Sequence, residues 1–125
     1  MVFDTDVLIW IERGNLKAAR HLDAAETRAI SLQTYLELLQ CAKDKQQQKR
    51  AKAFIRDLQI EVLPLTENIG HRASVYIDQY SLSHGLRAGD ALIAATAVEN
   101  NRVLCSSNIK HYQFIPDLEF QPLRV

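Results

Sequence analysis

Apolar and polar positions along the chain follow two different periods. Segments 2–3, 28–31 (RAIS), 60–65 (IEVLPL) and 102–106 (RVLCS) are short, β-rich runs closed by polar or turn-forming residues, and each predicts a strand. Between them the period becomes helical. The segment after Asp6 turns helical, 17–25 is Ala-rich, and TYLELLQCAK from Thr34 is a strong helix. Ala51, Phe54, Ile55 and Leu58 fall at i, i+3, i+4 and i+7, one apolar face of a further helix. Thr66 is placed to N-cap a long helix with the stripe Ile69, Ala73, Tyr76, Ile77 and Tyr80, and Gly85 to end it. DALIAATAV (90–98) is apolar nearly all round, which predicts a buried central helix closed by Asn100-Asn101. In the LEFQPL tail (118–123), Pro122 cannot donate to a ladder, so the segment reads as an edge strand. Strands interleaved with helices predict an α/β fold: a mostly parallel central sheet with helices on both faces, in one domain spanning 1–125.

Composition adds little to this picture and excludes some classes. The chain has 125 residues, 47% apolar and 24% charged, as ordinary globular proteins do. Lys+Arg and Asp+Glu are 15 each, so no global field attracts a polyanion. The local exception is KDKQQQKRAK (43–52), whose ordinary reading is a solvated basic helix face. Cys41 and Cys105 form neither a disulfide framework nor a zinc spacing, and Cys105 reads as a small core residue. The N-terminus lacks a basic leader, and its longest apolar run, 7–11, is too short to span a membrane. No membrane association is expected, and the cytoplasm is the expected location.

The chemistry is concentrated where a parallel sheet places it, at loops leaving the carboxyl ends of strands. Asp4 ends the first strand, Glu37 lies near the start of the helix after the second, and Asp90 opens the buried helix. Ser106-Ser107-Asn108 leaves the strand at 102–106. Singly, each acid has a structural reading. Asp6 suits an N-cap, Thr34 to Glu37 fits a capping box, and Asp90 can oppose the positive end of its helix. For Asp6 that reading is adopted. Together, Asp4, Glu37 and Asp90 call for more, because two carboxylates ~4 Å apart repel by about 4 kcal/mol at an effective dielectric near 20. Three that converge must either take up protons or hold a cation. An all-oxygen ligand set without His or Cys suits Mg²⁺ or Mn²⁺, which can activate water in phosphodiester hydrolysis.

VFDTDVLIW, ISLQTYLELL and GDALIAATAVENN followed by RVLCSSNIKHYQFIP together resemble the PIN-domain ribonucleases, in particular the VapC-type toxins of toxin–antitoxin pairs. The correspondence runs in order over nearly the whole chain. It implies a PIN-like α/β domain and an Mg²⁺/Mn²⁺-dependent endoribonuclease. It also implies a homodimer inhibited by an antitoxin that presses a basic side chain into the acidic site. Carried over by position, Asp4, Glu37 and Asp90 match the three principal acids and the metal ligands. Asn108 matches a fourth catalytic position, often Asp, and Ser106 a hydroxyl that supports the first acid. Asn108 brings no charge, so a second metal would be held less firmly. Trp10 stands where relatives carry a polar residue and reads as core or interface packing.

Other assignments are weaker. Arg13, Lys17 and Arg20 are candidates for contact with substrate phosphates, against the ordinary reading of basic helix residues as solvated surface. The histidines lack metal-ligand spacing and none is assigned to catalysis, although His111-Tyr112 follows Asn108 closely enough to lie near the mouth. Two rival functions remain. One is a phosphatase of the haloacid-dehalogenase type with Asp4 as nucleophile and Asp6 as acid/base, against which no later GD-x-x-x-D pair exists, Gly89-Asp90 being followed by Ala94. The other is a PIN-like module that binds RNA or protein without cutting.

Overall fold

The computed structural model describes all residues, Met1–Val125. β1 (Val2–Phe3) leads into α1 (Thr5–Glu12) and α2 (Leu16–Ala24), and β2 (Ala29–Ser31) into α3 (Leu32–Gln40) and α4 (Lys45–Asp57). β3 (Glu61–Leu63) leads into α5 (Glu67–His84) and α6 (Ala88–Glu99). β4 (Leu104–Ser106) leads through the single turn α7 (Ile109–Tyr112) to β5 (Phe120–Pro122). The sheet has the order β3-β2-β1-β4-β5, and every pairing is parallel. From β1 the chain steps outward to β2 and β3, then returns through α5 and α6 to the other side of β1. The order therefore reverses between β1 and β4, and a crevice opens beyond their carboxyl ends.

The strands are only two or three residues long, and their period-2 alternation sorts side chains into two cores. Val2, Ala29 and Leu104 face α5, α6 and α7, where they join Ile69, Tyr76 and Ile93. Phe3, Ile30 and Cys105 face α1 to α4, where they join Leu8, Leu22 and Ile55. Strands buried on both faces explain why no clean polar alternation marks them. α6 is enclosed almost all round because Ala91, Ala94, Ala95 and Ala97 let α5 and the sheet approach closely. A larger side chain at Ala94 would overpack this layer at a cost of about 1–3 kcal/mol.

Thr66 caps α5 by accepting from the Ile69 N–H at 3.2 Å, and Gly85 ends it at φ 68°, the left-handed region open to glycine. Asn100 is the C-cap of α6, and Asn101 follows at φ 53°. Along α4 only Ile55 is fully buried, while Lys45, Lys49, Arg50 and Lys52 point to solvent. The tail is the edge strand β5, with Pro122 aligned on Ser106. No helix is long and apolar enough to cross a membrane.

Two helix starts differ from expectation. The N-cap of α1 is Asp4, whose carboxylate accepts from the Thr5 N–H at 2.8 Å, and Asp6 lies within the first turn. The N-cap of α3 is Ser31, which accepts from the Thr34 N–H at 2.9 Å. That helix therefore starts before Thr34, no capping box forms, and Glu37 sits in the second turn with its carboxylate free for other partners. In both cases the helix begins where the paired strand ends. α7, a helix of one turn, has no periodic signal in the sequence.

Candidate active site

The crevice between β1 and β4 is built from four chain segments. β1 delivers Asp4, which is 3% exposed although it is an acid. β4 delivers Ser106, fully buried, whose hydroxyl donates to Asp4 Oδ2 at 2.7 Å while accepting from the Asn108 N–H at 3.0 Å. The Thr5 N–H holds Asp4 Oδ1. Both oxygens of the first carboxylate are thus fixed by the local chain.

α3 contributes Glu37. Its Oε2 accepts from the Thr5 hydroxyl at 2.8 Å and its Oε1 from Gln33 Nε2, one turn earlier, at 3.0 Å. The Thr5 hydroxyl also lies 3.1 Å from Thr34 Oγ1, so the middle residue of the DTD motif ties α1 to α3. Approach of α6 to this wall depends on Gly89. A Cβ there would stand 3.1 Å from Glu37 Oε1 and 3.3 Å from Gln33 Nε2, closer than most side chains tolerate.

α6 contributes Asp90 in its first turn, beside the positive end of the helix dipole. Its Oδ1 accepts from the Tyr112 hydroxyl at 3.3 Å, and its Oδ2 lies 3.3 Å from His111 Nδ1. Asp6, for its part, is committed to the turn after β4. It accepts from the Ser107 N–H at 2.9 Å and contacts the Ser107 hydroxyl, which also receives Trp10 Nε1 at 3.3 Å. Trp10 is therefore a strut of the site wall as well as a packing residue, which corrects its reading as packing alone.

The one basic side chain against these carboxylates is His111, beside Asp90. Burial, and then the charge of Asp6, push the Asp4 carboxyl up to about 7, against the pull of its bonds from Ser106 and Thr5, and Asp90 adds to the rise. Asp90 is raised as well, first by burial and further by Glu37, while His111 and Tyr112 oppose the shift. Burial together with Asp6 and Asp4 pushes the Cys105 thiol up to about 12, so it stays protonated behind the site. No Lys or Arg pairs with Asp4, Asp6, Glu37 or Asp90.

By donor chemistry these residues fit a hard divalent cation: carboxylate oxygens in a sheltered crevice with no Lys or Arg among them. The acids share one electrostatic neighbourhood, but no three His, Cys, Asp or Glu side chains stand together as a ready-made cage. Asp90 is turned towards α7, and Glu37 is engaged by Thr5 and Gln33. Asn108 is exposed at the rim, where its backbone serves Ser106. Arg13, the C-cap of α1, and Lys17, in α2, are exposed and make no ion pair.

Sequence reasoning gave no role to Thr5, Gln33 or Gly89, and put Ser107 and Tyr112 near the site without naming their partners. For Thr5 a signal existed, because the residue between two acids at a strand end faces the neighbouring helix. Gln33 lies four residues before Glu37, a spacing that puts both on one face of α3. The others depend on how distant segments meet.

A family model described as PIN domain matches residues 1–114. The chain is 29% identical over 124 residues to a protein of Rickettsia bellii named Ribonuclease VapC, covering 95% of this chain and 92% of that one. A toxin–antitoxin complex from Klebsiella pneumoniae contains a chain with TM-score 0.79 and 28% identity, covering 94% of this chain and 93% of that one. VapBC-1 of nontypeable Haemophilus influenzae has the same fold, with TM-score 0.81, 24% identity and 98% of each chain covered.

Proposed function

The chain belongs to the PIN-domain family, and from that premise we propose that it is a divalent-metal-dependent endoribonuclease, the toxin of a toxin–antitoxin pair. The observation that carries this reading is Asp4: a carboxylate buried at the reversal of the sheet, pushed up to about 7, with acids and no Lys or Arg around it. Such an arrangement costs free energy in the empty protein and is repaired by a cation. Asp4 and Asp90 would hold it, and Glu37 would complete the set or orient the attacking water. The chemistry that Mg²⁺ or Mn²⁺ supplies when bound is Lewis-acid polarisation of water and phosphate.

The chain's own residues do the rest. Ser106 and the Thr5 N–H fix both Asp4 oxygens, so that carboxylate needs no reorganisation when substrate arrives. Asp6 anchors the Ser107 turn and so keeps Ser106 in reach of Asp4. Asn108, at the rim, can meet the scissile phosphate or its water. Arg13 and Lys17, exposed and unpaired, remain candidate outer contacts for the RNA backbone. The phosphatase reading loses support because Asp6, its acid/base, is consumed by Ser107.

The partner follows from the same charge balance. A Lys or Arg presented by an antitoxin would pair with the acids where no Lys or Arg of this chain does. Support for a docking partner also comes from the apolar groove of about 680 Å³ lined by Ile9, Ile11, Leu38 and Phe54, on the α1–α3 wall that carries Thr5 and Glu37. A homodimer, acting on cytoplasmic RNA, completes the reading.

The test is cleavage of RNA by purified protein. EDTA should stop it, Mn²⁺ should restore it, and Asp4→Asn and Asp90→Asn should each abolish it. Cleavage by either variant at the wild-type rate refutes the proposal.

A further inference from the structure

α7 is one turn long, yet it places two neighbouring side chains on the two oxygens of Asp90. Tyr112, 0% exposed, donates to Oδ1 at 3.3 Å, and His111, with its side chain half exposed, lies 3.3 Å from Oδ2. The two contacts differ in their freedom. The Tyr112 ring is sealed in the α5–α6 core and packs at 5.8 Å against Phe120. Its hydroxyl is therefore confined to the space between Asp90 and Asp4. Burial and the nearby charges of Asp4 and Asp90 hold the phenol firmly in its protonated, donating form. His111 stands half exposed at the surface, with the Tyr112 ring edge-on beside it at 6.3 Å.

The geometry points to a division of labour on α7. Tyr112 is a fixed positioning residue that occupies Oδ1 and aims the Asp90 carboxylate, while His111 is an exchangeable cover on Oδ2, the oxygen left for a cation. This inference rests on the reading of the crevice as a divalent-cation site. It deepens that reading by naming the outer residue on which metal affinity depends. A carboxylate whose second oxygen is already hydrogen-bonded loses less rotational freedom on binding, and such outer contacts typically govern affinity by roughly 10–100-fold. Removing the Tyr112 hydroxyl leaves Asp90 free to turn, whereas removing His111 uncovers a ligand atom. Opposite effects are therefore expected from two adjacent residues.

Mn²⁺ binding to the full chain, followed by the paramagnetic resonance signal of free ion, tests this without reference to catalysis. Tyr112→Phe keeps the buried ring and should weaken Mn²⁺ binding roughly tenfold or more, with the metal-free melting temperature little changed. His111→Ala should bind Mn²⁺ as tightly as the wild type or more tightly. Tyr76→Phe, which removes a hydroxyl bonded to Asp117 on the other side of α5, is the control and should leave affinity unchanged. Unaltered affinity in Tyr112→Phe overturns the inference while the metal site stands. A loss in His111→Ala as large as that in Tyr112→Phe overturns the division between the two. A wild type that binds no Mn²⁺ sinks the metal-dependent reading itself, and the inference with it.

Discussion

Two clusters of carboxylates lie on this molecule and are treated differently by the chain. Where α5 meets the end of α6 and the loop before β5, Arg72 pairs with Glu99 and, at 2.7 Å, with Asp117. The Tyr76 hydroxyl is 3.0 Å from both Asp117 oxygens. In the crevice between β1 and β4, Asp4, Asp6, Glu37 and Asp90 receive hydrogen bonds from hydroxyls, amides and backbone N–H groups but no guanidinium or ammonium. In the first cluster one guanidinium bridges two carboxylates and acts as a clasp between elements. The second is satisfied in hydrogen bonds and left open in charge. Hydrogen bonding fixes where a carboxylate points, whereas charge balance decides whether something must still arrive. Arg72 binds both carboxylates of its cluster, and no Lys or Arg binds those of the Asp4 cluster.

Substitutions can break this contrast, and the largest effect is expected at Asp4. Asp4→Asn should reduce cleavage by at least about 100-fold, measured as initial rate on an RNA substrate at saturating Mn²⁺. Retained activity would place the Asp4 cluster in the same structural category as the Arg72 cluster.

The same residue should act in the opposite sense on stability. Between its ordinary 3.8 and about 7, Asp4 keeps its proton in the native state and loses it in the unfolded chain. The native state then binds more protons, so stability falls as pH rises through that window. The loss attributable to Asp4 should reach about 3–4 kcal/mol at the upper end. Chemical denaturation in EDTA from pH 4 to pH 8 measures it, and Asp4→Asn should remove most of the slope. Wild-type and variant profiles that run parallel would show that the buried charge is compensated by means not recognised here.

A smaller effect is expected from the clasp. Arg72→Ala separates Glu99 from Asp117, and because these side chains are partly solvated the cost should be about 1 kcal/mol, seen as a lower melting temperature with cleavage intact. The smallest belongs to Tyr76→Phe, below about 1 kcal/mol, since Asp117 keeps Arg72. A loss of cleavage in either would mean that the two clusters are coupled through α5 and α6.

The sequence made the layers and the main acids legible because both rest on local signals. The 3.6-residue stripe of Ile69, Ala73 and Tyr76, the all-round apolar run after Asp90, and acids where strands give way to helices need only their own neighbours to be read. Helix starts were less legible. Asp4 and Asp6 both satisfy the cap pattern, as do Ser31 and Thr34, and the choice is made by strand pairing such as Phe3 on Cys105. Partners supplied by distant segments left no trace. Gly89 matters because α3 passes beside it, and Tyr112 matters because a single turn after β4 folds back on Asp90. An aromatic residue after a polar turn announces neither.

The hydrogen bond from Ser106 to Asp4 joins residues 102 positions apart. During synthesis Asp4 is made long before β4, so the pocket cannot be completed until residue 106 has emerged. Contacts of such high sequence separation form late and slowly. Whatever chemistry Asp4 performs therefore waits on β4 being made and paired.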